Sequence, residues 1–183
     1  TPTDQTRGGD ETGYEPVIPD DLDRYPLDSE SMSLAGHDLA VIVLTSGTTG
    51  IPKGVLHTHA KLVDSCRAAV YPFGLTPHSS TLNMFTTSFM GWYNLALPCC
   101  NIGARQVFQN QWDPKRVLRA IAEERISNLL LVPTMWRLLL REETEGHDLT
   151  SLRQVGFAGE VMDLPTLEAI RRRISPNIIN CYS

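Results

Sequence analysis

Leu39-Ala40-Val41-Ile42-Val43-Leu44-Thr45-Ser46-Gly47-Thr48-Thr49-Gly50-Ile51-Pro52-Lys53-Gly54-Val55 is the stretch around which the rest of the chain is read. The apolar run Leu39 to Leu44 predicts a buried strand. The ten residues from Thr45 to Gly54 then hold three glycines, three threonines, a serine and a lysine. Glycine permits the backbone angles that turn successive N–H groups toward one anion. Hydroxyls add donors, and Lys53 adds a mobile positive charge. These are the parts of a phosphate-holding loop. The Gly, Lys and Ser/Thr spacing does not fit the Walker pattern.

Working outward, the sequence predicts an alternation of short apolar strands and helices. Gly54–Thr58 reads as a short strand, and Ala60–Tyr71 as a helix with Leu62, Val63, Cys66, Ala69 and Val70 in period. Thr81–Phe85 reads as a strand. Met90–Asn101 is an uncharged helix, kinked or broken near Pro98. Ala104–Phe108 is the next strand. Asp113-Pro114 caps and opens a helix to about Arg125. Asn128–Val132, Leu152–Phe157 and Asn177–Cys181 are strands, separated by helices from Pro133 to about Glu143 and from Pro165 to Ile174. This order argues an α/β fold, a mostly parallel sheet with helices on both faces. Ligands of such sheets sit beyond the carboxyl ends of the strands. The phosphate loop, Ser88, Gly159 and Tyr182 all follow strands, so they can meet at one crevice.

Charge divides the chain. Residues 1–40 hold ten acids and two bases, a net −8; residues 41–183 hold eleven acids and fourteen bases, a net +3, which sums to the −5 of the whole. The acidic stretch 1–38 reads as a linker or irregular segment. The body, 39–183, is too weakly positive to argue for nucleic acid. Arg171-Arg172-Arg173 reads as a solvated helix face. His57 and His59 have no third partner, so they read as polar loop residues and no metal site is read. Cys66, Cys99, Cys100 and Cys181 lack metal spacing and read as buried thiols. With no signal peptide, they point to a reducing, cytoplasmic setting. No apolar run reaches the roughly 18 residues of a membrane span.

Thr-Ser-Gly-Thr-Thr-Gly-x-Pro-Lys-Gly, residues 45–54, resembles the phosphate loop of the AMP-forming acyl-activating enzymes, a family of acyl-CoA synthetases, luciferases and peptide-synthetase adenylation domains. Two further stretches resemble family motifs in the same order. Ala158-Gly159-Glu160 is similar to a Gly-Gly-Glu or Gly-Gly-Ala turn that lines adenine, with Ala158 in place of the first glycine. Asn180-Cys181-Tyr182-Ser183 is similar to the start of Asn-x-Tyr-Gly-x-Thr-Glu, whose Tyr packs on adenine; Ser183 stands where Gly is usual.

The resemblance implies a fold, part of the acyl-CoA synthetase-like N-terminal domain, and an activity. A carboxylate attacks the α-phosphate of ATP, pyrophosphate leaves, and a thiol, often that of coenzyme A, takes the acyl group. It implies Thr45, Ser46, Gly47, Thr48, Thr49, Gly50 and Lys53 as phosphate-binding. Ala158, Gly159, Glu160 and Tyr182 are implied as adenine-binding, and Ser88, Phe89 and Trp92 as acyl pocket. Cofactors would be ATP and Mg²⁺, with coenzyme A as co-substrate. Peptide-synthetase domains usually carry Phe-Asp where this chain has Phe85-Thr86. An ammonium buried without a counter-charge is costly, so an amino acid is disfavoured. Phe89, Met90 and Trp92 suggest a fatty or aromatic acid.

The family's magnesium-binding Glu and its C-terminal catalytic Lys have no counterpart before Ser183, so the expectation is a partial domain with its catalytic residues unknown. A kinase or NTPase is a poorer fit. A non-catalytic nucleotide-binding or scaffold module, or a structural fragment, is the alternative outside enzymes. Partners are then a small carboxylic acid, ATP and coenzyme A.

Overall fold

The computed structural model describes residues 33–45 and 53–181. The acidic stretch up to residue 32, the loop residues 46–52, and Tyr182 and Ser183 lie outside the described residues.

A five-stranded parallel sheet carries the fold. Its strands are β3 (Ser80–Asn83), β4 (Arg105–Phe108), β5 (Asn128–Leu131), β6 (Gln154–Phe157) and β7 (Ile178–Asn180), in the spatial order β4-β3-β5-β6-β7. The helices between them are α2 (Met90–Ile102), α3 (Pro114–Glu123), α4 (Pro133–Leu139) and α5 (Leu164–Arg173). The step from β3 to β4 runs one way along the sheet, and every later step runs the other way. Right-handed crossovers then put α2 on one face and α3, α4 and α5 on the opposite face. The path therefore switches direction beside β3, and such a switch opens a crevice outside the strand ends. The expected α/β sheet with helices on both faces is the observed one.

Position in the sheet explains the strand sequences. The inner strands β3 and β5 are buried at all four residues, and the edge strands are partly exposed. Side chains alternate between faces. Leu129 and Leu131 are fully buried, as are Val117 and Ile121 of α3, Trp136 and Leu139 of α4 and Ile170 of α5, which make up the core of the second face. Trp136 donates its indole N–H to the Gly156 carbonyl at 2.9 Å, which ties α4 to β6. On the first face Leu130 joins Phe73, Leu75, Leu95 and Cys99.

Helix ends follow their local chemistry. Asp113 accepts from the amides of Lys115 and Arg116 and caps α3, with Pro114 in its first turn. Asp163 caps α5 through the Thr166 amide at 2.9 Å. Pro98 sits inside α2, which continues through it to Ile102 and ends on Gly103 at φ 71°. Of the kink or break expected there, no break interrupts the helix.

The amino-terminal strand departs from expectation. β1 (Leu39–Thr45) pairs antiparallel with β2 (Lys53–Thr58) in a separate two-stranded ribbon. Only Val43 is buried; Leu39, Ile42 and Leu44 are more than half exposed. An apolar run fits a strand covered on both faces, but it does not report whether such cover is present. The phosphate-loop sequence thus joins the two strands of a hairpin, in line with the strand expected at Gly54–Thr58. β2 leads directly into α1 (His59–Val70), capped by Thr58. His57 and His59 lie on β2 and at the start of α1, not in a loop. Cys100 is exposed although Cys66 and Cys99 are buried, because neighbours on a helix face different directions.

Candidate nucleotide and acyl site

A cavity of about 760 Å³ lies between α1 and α2 on one side and the sheet on the other. Leu130, Ile179 and Cys181 contribute its sheet wall, and Val132, Ala158 and Gly159 its rim at the strand ends. Phe85, Phe89, Met90 and Gly91 border it from the turn after β3 and the first turn of α2. Ser65, Ala69 and Asn94 form the helix wall, and Phe73 lies at the end where the strands begin, its carbonyl held by Asn128 of β5. The volume is within the usual range for a small-molecule site.

The floor is held from below. Asn128 at the start of β5 donates its side-chain amide to the Phe73 carbonyl at 2.7 Å. Gln154 at the start of β6 does the same to the Pro72 carbonyl at 3.1 Å. Gly156 gives the Phe73 ring room, since a Cβ there would lie 2.9 Å from Phe73 Cε2. Gly91 does the same for the Phe85 ring, which a Cβ would meet at 3.4 Å.

At the rim, Gly159 has φ 85°, a left-handed angle natural to glycine. The loop behind it is fastened to α4. Glu160 accepts from the Thr134 hydroxyl at 2.9 Å and lies 3.8 Å from Arg137. Arg137 also pairs with Asp163 at 2.9 Å. The Thr166 hydroxyl and amide, with Arg137 beside them, hold the Asp163 carboxyl down at a pKa of about 2. Ala158 and Gly159 therefore border the cavity, and Glu160 turns outward to α4.

The phosphate-loop candidates divide. Thr45 and Lys53 face each other as the last pair of the hairpin, and the Thr45 hydroxyl donates to the Lys53 carbonyl at 3.3 Å. Both are exposed. Ser46, Gly47, Thr48, Thr49 and Gly50 lie outside the described residues, as does Tyr182. Of the acyl-pocket candidates, Phe89 borders the cavity. Trp92 stacks on Phe108 at 6.5 Å and meets Tyr93 edge-on, apart from the lining. Ser88 is exposed and also outside the lining. Phe89 is the extended N-cap of α2, at φ −113°, so its direction is not that of the helix face that carries Trp92.

Several lining residues escaped the sequence reading. Ser65 falls on the Leu62–Ala69 stripe of α1, and Asn94 interrupts an otherwise apolar turn of α2. A polar residue inside an apolar face was the available signal. Ser65 Oγ donates to Asn94 Oδ1 at 3.4 Å. Burial pushes the Cys181 thiol above its usual range, so it lines the cavity uncharged. Among the described residues no group of three His, Cys, Asp or Glu side chains converges. Among them also, no helix is long and apolar enough to cross a membrane.

The parallel α/β sheet thus carries Gly159, at φ 85°, on the rim of an apolar crevice at its carboxyl ends. The chain belongs to the family described as AMP-binding enzyme, whose model matches residues 4–183. A plipastatin synthase polypeptide from Bacillus subtilis is 32% identical over 152 residues, 81% of this chain and 6% of that protein. The 3-hydroxybenzoate–CoA/4-hydroxybenzoate–CoA ligase of Thauera aromatica is 35% identical over 148 residues, 76% of this chain and 27% of that protein. The amide bond synthetase McbA from Marinactinospora thermotolerans superposes with a TM-score of 0.72 at 31% identity, over 79% of this chain and 29% of that one. The chain spans roughly a quarter or less of the curated relatives named here.

Proposed function

We propose that the chain is the part of an acid–thiol ligase that holds the carboxylic acid and the departing phosphates while an acyl-adenylate forms. The carrying observation is the apolar cavity whose rim is the Ala158–Gly159 turn. In this reading a carboxylate oxygen bonds to the α-phosphorus of ATP as the bond to pyrophosphate breaks. Thr45 to Gly50 and Lys53 hold the pyrophosphate side, where fixed donors stabilise developing charge. Ala158, Gly159, Tyr182 and the backbone of Glu160, whose side chain turns out to α4, border adenine. Phe89 shapes the acyl side, Ser88 and Trp92 stand behind it outside the cavity lining, and residues 1–38 connect to the 39–183 body. The acceptor is coenzyme A, which the Thauera relative's name supports. Mg²⁺, when bound, would screen the phosphates. We place the reaction in the cytoplasm because all four cysteines are free.

A second reading, amino acid adenylation, has the plipastatin synthase likeness in its favour. Thr86 counts against it: no carboxylate stands there to meet a substrate ammonium.

The test is ATP–pyrophosphate exchange by the protein that carries this chain, across aliphatic, aromatic and amino acids. Exchange that depends on a non-amino acid is expected, followed by thioester formation with coenzyme A. ATP binding with no exchange for any acid would transfer the assignment to a non-catalytic nucleotide-binding module.

A further inference from the structure

Three polar side chains, Ser65, Asn94 and the exposed Asn180, interrupt the apolar lining, and the first two do so together. Ser65 of α1 and Asn94 of α2 both line the cavity and are half-buried. Their one mutual hydrogen bond uses the hydroxyl proton and one head of the amide. The amide nitrogen of Asn94 has no partner among the described residues. Turning the amide exchanges its heads but still leaves one of them free. Polar groups in a largely apolar pocket fix the orientation of a ligand, because leaving them unpaired under a bound molecule costs affinity.

Their depth defines what they meet. Met90 begins α2 at the rim, and Asn94 lies four residues further along, about 6 Å deeper at 1.5 Å per residue. That is about the reach of a carboxyl group plus one six-membered ring. Beyond the pair, Phe73 closes the floor. Around the intervening space stand the rings of Phe85 and Phe89 and the thioether of Met90, surfaces that suit an aromatic face.

We propose that the cavity takes an aromatic carboxylic acid bearing a hydroxyl or amino substituent on its ring, and that Ser65 and Asn94 recognise this substituent. This rests on the adenylation reading of the site. A plain alkyl chain of the same length would bury the pair without satisfying it. Ser65 and Asn94 are specificity-determining residues here: they touch the far end of the acid, not the reacting atoms.

The experiment compares benzoate, 3-hydroxybenzoate, 4-hydroxybenzoate, 3-aminobenzoate and hexanoate in two assays on the protein that carries this chain, pyrophosphate exchange and calorimetric binding of the free acid. The expected result is about a tenfold preference in kcat/KM for at least one substituted ring over benzoate and hexanoate, the worth of one good hydrogen bond. Asn94→Leu should bring that ratio close to one by lowering kcat/KM for the substituted ring far more than for benzoate, and Ser65→Ala should lower it in part. Hexanoate or benzoate preferred by the wild type, or all acids losing equally in Asn94→Leu, would overturn the proposal. Should no acid support exchange, the adenylation reading fails and calorimetry alone decides. Tighter binding of a substituted ring that Asn94→Leu abolishes sustains the recognition pair, and equal binding of all five acids removes it.

Discussion

Replacing Gly156 by alanine puts a methyl group into the most crowded point under the cavity. Its Cβ would lie 2.9 Å from Phe73 Cε2, 3.0 Å from Leu130 Cδ1 and 3.2 Å from Ile179 Cγ2. Comfortable carbon–carbon contacts are about 3.5–4.0 Å, so three neighbours must give at once. Leu130 and Ile179 belong to the flanking strands of the sheet. The Phe73 ring is the freer group, but the backbone beneath it is held by Asn128 and Gln154. Its open direction is into the cavity. Overpacking of this kind costs about 1–3 kcal/mol. Alanine in place of glycine returns about 0.4–1 kcal/mol by restricting the unfolded chain. Crowding wins, by about 1–2 kcal/mol. At about 2–4 °C per kcal/mol for a domain of this size, the melting temperature falls by about 2–8 °C. Thermal and urea denaturation read the stability, and calorimetry with an acyl sulfamoyl-adenosine reads the cavity, where affinity should fall as the ring moves in. A Gly156→Ala protein that melts at or above the wild-type temperature and binds equally well would refute the crowding argument.

Other outcomes follow from the same structure. Trp136→Phe leaves the buried Gly156 carbonyl without its indole donor and should destabilise by about 1–3 kcal/mol, read as a lower urea midpoint with an unchanged m-value. Asp163 has a carboxyl pKa of about 2, below its ordinary 3.8. A depressed folded pKa means that its contribution is complete above pH ~4 and is lost as pH falls through about 2. NMR titration of the Asp163 carboxyl should show that midpoint, and in Asp163→Ala the stability should lose part of its pH dependence across this window, Asp148, also lowered, keeping its own share. Lys53→Ala should weaken ATP binding but leave the melting temperature within about a degree, because an exposed hairpin residue with no packing role contributes little to the fold.

The sequence made some of this structure legible and hid other parts for physical reasons. β5, Asn-Leu-Leu-Leu, announces an inner parallel strand because burial on both faces permits an unbroken apolar run. Asp113-Pro114 and Thr58 mark helix starts because capping is local chemistry. The order of phosphate-loop sequence, Ala158–Gly159 turn and terminal strand placed the crevice at the strand ends. The exposure of β1 was not legible, since Leu39 to Leu44 has the same pattern whether or not something covers it. The direction of Trp92 depends on which side of α2 meets the sheet, a long-range fact settled by Phe108. The meeting of Ser65 and Asn94 requires two helices to pack across 29 positions of sequence. Tertiary contact decides such details, and no local propensity encodes them.

The central claim is that an acyl-adenylate lies with its acyl group between α1–α2 and the sheet. Methyl-labelled methionine reports on this directly. Of the five methionines, Met90 and Met135 line the cavity, whereas Met84 lies buried outside its lining and Met162 sits beyond the Gly159 turn. On titration with a benzoyl sulfamoyl-adenosine, the methyl resonances of Met90 and Met135 should shift with one shared dissociation constant, and those of Met84 and Met162 should stay nearly still. Saturable binding that leaves Met90 and Met135 unmoved would contradict the account and place the acid elsewhere.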